Sequence, residues 1–220
     1  MKVIYAIINL QMAQDGTKSP FEFTGGNPCL DFADTVNDRT SDHPQELLTD
    51  YERLVQWGKE AGVITARTAD RLRQLAAQAA GDAQTTLRHA VQLRDAIYDI
   101  FVAAAHKQSI PSAALGVLNR NFRQAAQHAQ LVPSNHRFHW EWIEPESSLE
   151  SMLWPVSRAA AELLSSGEIA CVRQCASETC AWLFLDKTKN HRRRWCDMKI
   201  CGNRDKARRY YRRQKAQRSG

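Results

Sequence analysis

Cys175-Ala-Ser-Glu-Thr-Cys180 and Cys196-Asp-Met-Lys-Ile-Cys201 are two cysteine pairs, each with four intervening residues, separated by a spacer of fifteen. Each pair can build one wall of a tetrahedral thiolate site, because a short turn lets both sulfurs approach one ion at about 2.3 Å. Four sulfurs leave no position for water, so the zinc expected at Cys175, Cys180, Cys196 and Cys201 is structural and not catalytic. The spacer begins Ala181-Trp-Leu-Phe-Leu185 and ends at Trp195. So small a unit cannot bury enough apolar surface by itself and needs a metal staple. Cys171, the one rival ligand, reads as a packed thiol at helical spacing from Cys175, and Cys29 as a core residue. Five of the six cysteines fall within 31 residues. That clustering points to metal binding in a reducing cytosol rather than to a secreted disulfide framework.

Charge follows the same boundary. Residues 187–220 carry 14 Lys and Arg against 2 Asp and Glu, a net of +12, whereas residues 1–186 carry 16 against 22, a net of −6. A polyanion is therefore attracted to the C-terminal end only. Between the cysteine pairs lies a basic loop holding Lys187, Lys189, Arg192, Arg193 and Arg194. Beyond Cys201 a basic helix is expected, entered through Gly202-Asn203 and carrying Arg204, Lys206, Arg208, Arg209, Arg212 and Arg213. On it Arg204, Arg208 and Arg212 stack on one face, with Arg209 and Arg213 beside them. Phosphates relieve such self-repulsion, so these side chains are the candidate nucleic-acid contacts. Tyr210 and Tyr211 either stack on bases or pack on the finger.

The remaining chain reads as a mostly helical body. Phe21-Glu-Phe-Thr24 is a short strand candidate ending at Gly25-Gly26. Helices are predicted over 29–36, 51–61, 65–80, 82–106, 112–128 and 147–166, with Asp50 or Thr49 capping the second and Thr65 the third, Gly62 and Gly167 as stops, and Pro155 as a kink or the start of the last helix's second half. Leu87, Val91, Arg94, Ile97, Tyr98, Phe101 and Val102 give the 82–106 segment a helical stripe. Arg137-Phe-His-Trp-Glu-Trp-Ile143 alternates as a half-buried strand does, placing Phe138, Trp140 and Trp142 on one face. Residues 1–20 read as a disordered extension or one added by an upstream start, with an edge strand as the alternative for residues 1–11. Neither a secretory cleavage site nor a membrane-spanning run is visible there. The body holds no glycine fingerprint for nucleotides, no metalloprotease histidine pair and no nucleophile elbow, and its histidines lack metal spacing.

Cys175-x4-Cys180-Ala-Trp-Leu-Phe-Leu-Asp186, Arg193-Arg-Trp-Cys196 and Cys201-Gly-Asn-Arg204 resemble the CGNR zinc-finger family. Phe23-Thr-Gly-Gly26 and Leu30-Asp-Phe-Ala-Asp-Thr35, with Arg39, resemble the ABATE domain that accompanies this finger in bacterial stress-induced transcription regulators. Asp34 stands where that pattern usually has asparagine. The resemblance implies a bacterial, DNA-binding regulator.

The expected fold is mainly α (α+β). A helical N-terminal domain with a few short antiparallel strands (21–168) precedes a small treble-clef-like four-cysteine zinc finger with its basic C-terminal helix (169–220). The expected function is zinc-dependent transcription regulation, not enzymatic, in the cytoplasm and at the nucleoid. DNA is favoured over RNA, and no membrane is involved. The body is compatible with homodimerisation or a small-molecule effector. Asp31, Thr35 and Arg39 form either a ligand cluster or a structural one of caps and a buried salt bridge. The alternative is an enzyme or ligand sensor in the body, with the finger as a targeting or protein-interaction module. Read this way, the finger is an appendage whose loss leaves the body folded.

Overall fold

The computed structural model describes residues 19–134 and 137–218, the side chains of 213 and 215–218 excepted. The expected edge strand (1–11) and all of the expected extension (1–20) except Ser19 and Pro20 thus lie outside the described residues.

Local chemistry sets each helix. Helix α1 (Pro28–Ala33) has Pro28 in its first turn and Asn27 as its cap, the Asn27 side chain accepting from the Cys29 amide. It is shorter than the predicted 29–36, because the chain turns at Asp34 into β1 (Val36–Asn37), which pairs antiparallel with β2 (Gln45–Glu46). Helix α2 (Tyr51–Glu60) is capped by Asp50, and Gly62 follows it at φ +68°. Helix α3 (Ala66–Gln78) is capped by Thr65. The longest helix, α4 (Ala80–Ala105), buries Leu87, Leu93, Ile97, Ile100 and Phe101 along one stripe. Helix α5 (Ser112–Gln127) and helix α6 (Leu153–Ser165) complete the body.

Helix α4 is the hub: α1, α2, α3 and α5 all pack on it, while α6 covers α1 and α5. Arg94 lies in its buried stripe, and the charge is met there by Glu46, whose two carboxylate oxygens accept from Arg94 Nη1 at 2.6 Å. This pair ties the β1–β2 hairpin to the hub.

Four expectations are corrected. Residues 21–24 form no strand; Phe21 is buried, but the segment runs as irregular chain toward Gly25. The predicted 147–166 helix is divided: residues 145–147 form a separate short 3₁₀ turn, and Pro155 falls in the first turn of α6, where a missing amide costs nothing, so it marks the start of the second half rather than a kink. Gly167 opens a 3₁₀ turn (Gly167–Cys171), so Cys171 is not in helical register with Cys175, although it packs against the core as expected.

The fourth concerns β4 (Arg137–Trp142), whose partner β3 (Ala129–Ser134) went unforeseen because Pro133 and an irregular pattern mask it. Strand β4 is not half-buried: Phe138 is 72% and Trp140 50% exposed. Two strands alone have no second layer to cover them. Trp142, at the root, reaches the body, 6.0 Å from Trp154.

Candidate metal centre and basic face

Strand β5 (Val172–Gln174) leads into the first cysteine pair, and β6 (Leu183–Leu185) leads out of it, antiparallel to β5. The connecting knuckle is closed by backbone bonds, Cys175 N to Trp182 O at 2.7 Å and Ala176 N to Arg194 O at 2.8 Å. Ala181 takes φ +57° directly after Cys180, and the Tyr98 hydroxyl donates to its carbonyl at 3.1 Å. Of the second pair, Cys196 precedes and Cys201 lies within a π-helical turn (Met198–Gly202) capped by Asp197, whose Oδ1 accepts from the Lys199 and Ile200 amides. Helix α7 (Asn203–Arg218) follows without a break.

These elements bring the four sulfurs together. All lie within 4.8 Å of one another, with Cys180 to Cys196 and Cys196 to Cys201 both 3.7 Å. The edge of a tetrahedron with 2.3 Å arms is about 3.8 Å, so the cage fits zinc. Four thiols at these distances cannot ionise together: hydrogen bonding with Cys180 lowers the Cys175 thiol, and contact with Cys175 raises Cys180 and Cys196. A bound dication would offset half of the charge of four thiolates and coordinate every sulfur, which relieves that conflict. All four cysteines are buried, and Trp182 and Phe184 pack around them. Among the described residues this is the one cluster able to hold a metal; Cys29 sits in the core, as expected.

The finger is not an appendage. Val172, Leu183 and Leu185 belong to the same apolar core as the helices. The segment from Gly25 to Thr40 grips it along its length. Leu185 N donates to Gly25 O, Leu183 N to Asp34 Oδ1, Trp182 Nε1 to Val36 O, Thr40 N to Thr179 O and Thr179 Oγ1 to Asp38 Oδ1, all within 2.7–3.2 Å. A side chain at Gly25 would meet Leu30 Cβ at 2.9 Å and the Asp31 amide nitrogen at 3.0 Å, so the close approach needs glycine.

Asp31, Thr35 and Arg39 serve that docking segment. Asp31 Oδ1 accepts from Gly25 N, Thr35 Oγ1 donates to Phe32 O, and Arg39 donates to Ala33 O. The Arg39 guanidinium also lies 3.8 Å over the Tyr98 ring and 3.6 Å from Asp95. None of the three lines the shallow cleft of about 120 Å³ between residues 20–38 and the finger.

Asp34 is fully enclosed; Oδ1 receives the Leu183 amide and Oδ2 has no partner. Burial pushes its carboxyl well above the usual range. A folded-state pKa raised above the unfolded value of about 3.9 means stability is lost as pH rises through the folded pKa. Asp34→Asn has no proton to lose. As pH rises above about 4, thermal melts of the wild type should therefore decline relative to the variant, and parallel curves would reject this account.

Asp186, the last residue of the Ala-Trp-Leu-Phe-Leu-Asp motif, organises the basic loop. Burial works to raise its pKa, but bonds from Thr188 Oγ1, Thr188 N and Arg193 N outweigh it and hold the carboxyl below the ordinary value. The Asp-x-Thr pattern of an Asx turn was the available signal. Within that loop Lys187, Lys189, Arg192 and Arg194 are exposed. Arg193 turns inward, donating to the Trp195 and Cys196 carbonyls, with its guanidinium 4.4 Å over Phe184.

On α7, Arg204, Arg208 and Arg212 share a face as the spacing predicted, and that face is ion-paired. Arg204 meets Asp38 at 3.0 Å, while Arg208 and Arg212 meet Glu178 at 3.4 and 2.6 Å. Lys206 is exposed, Arg209 pairs within the helix with Asp205, and the Arg213 side chain lies outside the described residues. Tyr210 and Tyr211 are both exposed, edge to face at 5.8 Å, and neither packs on the finger's cysteine cluster. Lys199, within the π-helical turn, is also exposed and adds a cation to those of the loop and helix.

Fold and site together define a zinc-finger protein: a helical body clasping a structural four-thiolate centre that carries a basic loop and helix. The chain belongs to the ABATE family, described as "Putative stress-induced transcription regulator", which matches residues 26–167, and the CGNR zinc finger matches residues 172–214. None of the curated proteins matches the chain. Both families are described in regulatory or zinc-finger terms and not as enzymes. Among the described residues no helix is long and apolar enough to cross a membrane.

Proposed function

We propose that this protein is a DNA-binding transcription regulator in which structural zinc fixes a cationic surface against duplex DNA. The observation that carries the reading is the +12 net charge of residues 187–220, set against −6 for the rest. Many of those cations, Lys189, Arg192, Arg194, Lys199 and Lys206 among them, stand exposed around the metal cage. Asp186, the knuckle and the Asp197 cap supply the order, so the charges need not be organised on binding and less entropy is lost. Duplex DNA suits a rigid helix and loop, since phosphate contacts fix the register while an arginine or lysine reads base edges.

Fluorescence anisotropy with a random-sequence duplex tests this. About five phosphate contacts give a slope near −4.5 in a plot of log affinity against log salt, or roughly a five-hundredfold loss between 50 and 200 mM. Absence of binding at 50 mM salt, or binding indifferent to salt, overturns the reading. Preferential binding to single-stranded RNA under the same conditions replaces DNA as the partner.

A further inference from the structure

We infer that α7 meets DNA with the face bearing Lys206, Arg209 and Tyr210, and that Arg204, Arg208 and Arg212, on the stripe richest in arginine, position the helix by gripping Asp38 and Glu178. This rests on the DNA-binding reading above and specifies its geometry.

The three arginines lie at i, i+4 and i+8, a single ridge along the helix. Every one of them ends on a carboxylate from outside the helix, Asp38 in the loop after β1 or Glu178 in the zinc knuckle. Those acids are themselves held in place. The Glu178 carbonyl accepts from Thr40 Oγ1 at 2.8 Å, the Thr179 carbonyl from Thr40 N at 3.2 Å, and Asp38 Oδ1 also receives the Thr179 hydroxyl at 2.7 Å. The ridge therefore docks α7 onto the junction between body and finger.

Exposed ion pairs taken singly contribute only about 0–1 kcal/mol, so strength alone does not keep a phosphate out. Sign does. A duplex laid along this ridge would meet Asp38 and Glu178, and turning Arg204, or Arg208 and Arg212 together, to phosphates would leave a carboxylate uncompensated beside a polyanion. Lys206 and Tyr210 sit two residues to either side of Arg208, which at 3.6 residues per turn places them about 160° around the helix. Arg209 has its acid within the helix, at Asp205, so it travels with α7 and not with the body. Tyr210 is 60% exposed and offers a ring on the same outer face.

Two double variants remove equal charge from the same helix and so isolate the face. Lys206→Gln/Arg209→Gln and Arg208→Gln/Arg212→Gln are compared in the full-length zinc protein by anisotropy with the random duplex from 50 to 200 mM salt. Zinc content and melting confirm that both fold. The outer-face pair should lose at least tenfold in affinity at 100 mM and reduce the salt slope by about two. The ridge pair should keep the wild-type slope to within about half a unit. An equal or larger slope reduction in the ridge pair overturns the inference. A wild type that fails to bind overturns the DNA-binding reading instead, and the two failures are separate.

Discussion

Cys196→Ser is expected to lose zinc and to lower the melting temperature of the helical body as well, by about 10 °C or more. The first part follows from the cage: Cys196 is 3.7 Å from both Cys180 and Cys201, and removing one thiolate opens a closed site. The second follows from packing. Strands β5 and β6 place Val172, Leu183 and Leu185 in the core that α1 and α4 share, and five hydrogen bonds join residues 25–40 to residues 179–185. Metal binding to such sites is folding free energy, so its loss is transmitted to whatever the finger supports. A cost of about 3–5 kcal/mol in a chain of this size corresponds to roughly 10 °C. Elemental analysis and circular dichroism melts measure the two effects separately. Full zinc content in the variant would refute the metal centre; lost zinc with an unshifted helical melt would refute the shared core.

Trp182→Ala should be nearly as damaging without touching a ligand. The ring packs among the cysteines, and its Nε1 donates to the Val36 carbonyl at 2.8 Å, so one side chain joins cage to body. Truncating a buried tryptophan costs about 3–5 kcal/mol, and the lost hydrogen bond adds about 1 kcal/mol. The variant should melt about 10 °C lower and surrender zinc to a chelator at least tenfold faster than the wild type. Trp182→Phe keeps most of the packing and forfeits the bond, so its effect should be about a third as large. Equal losses in the two variants would mean that the bond, not the ring, joins the parts.

The metal centre was legible because ligation is a local demand. Four thiolates on two short turns are written into spacing, and the structure adds only the distances that confirm the fit. The helices were legible for a similar reason: Asp50, Thr65 and the stripe on α4 act within a few residues of themselves. Strand β3 escaped notice, since a strand that owes its existence to its partner and contains Pro133 carries little signal of its own. Arg193 looked like its neighbours in sequence and differs from them only through the ring and carbonyls it meets.

The sequence by itself determined what the C-terminal segment is made of: a closed thiolate cage, a cationic loop and a cationic helix, each specified by residues close together in the chain. Only the tertiary structure decided how these are used. The body takes hold of the finger through Gly25, Asp34, Val36, Asp38 and Thr40, and the arginine ridge of α7 lies against Asp38 and Glu178. The reason is range. Side-chain spacing fixes which groups share a face, but which face meets a carboxylate, a core or the solvent depends on contacts such as that of Asp38 with Arg204, 166 positions apart, which no local pattern encodes.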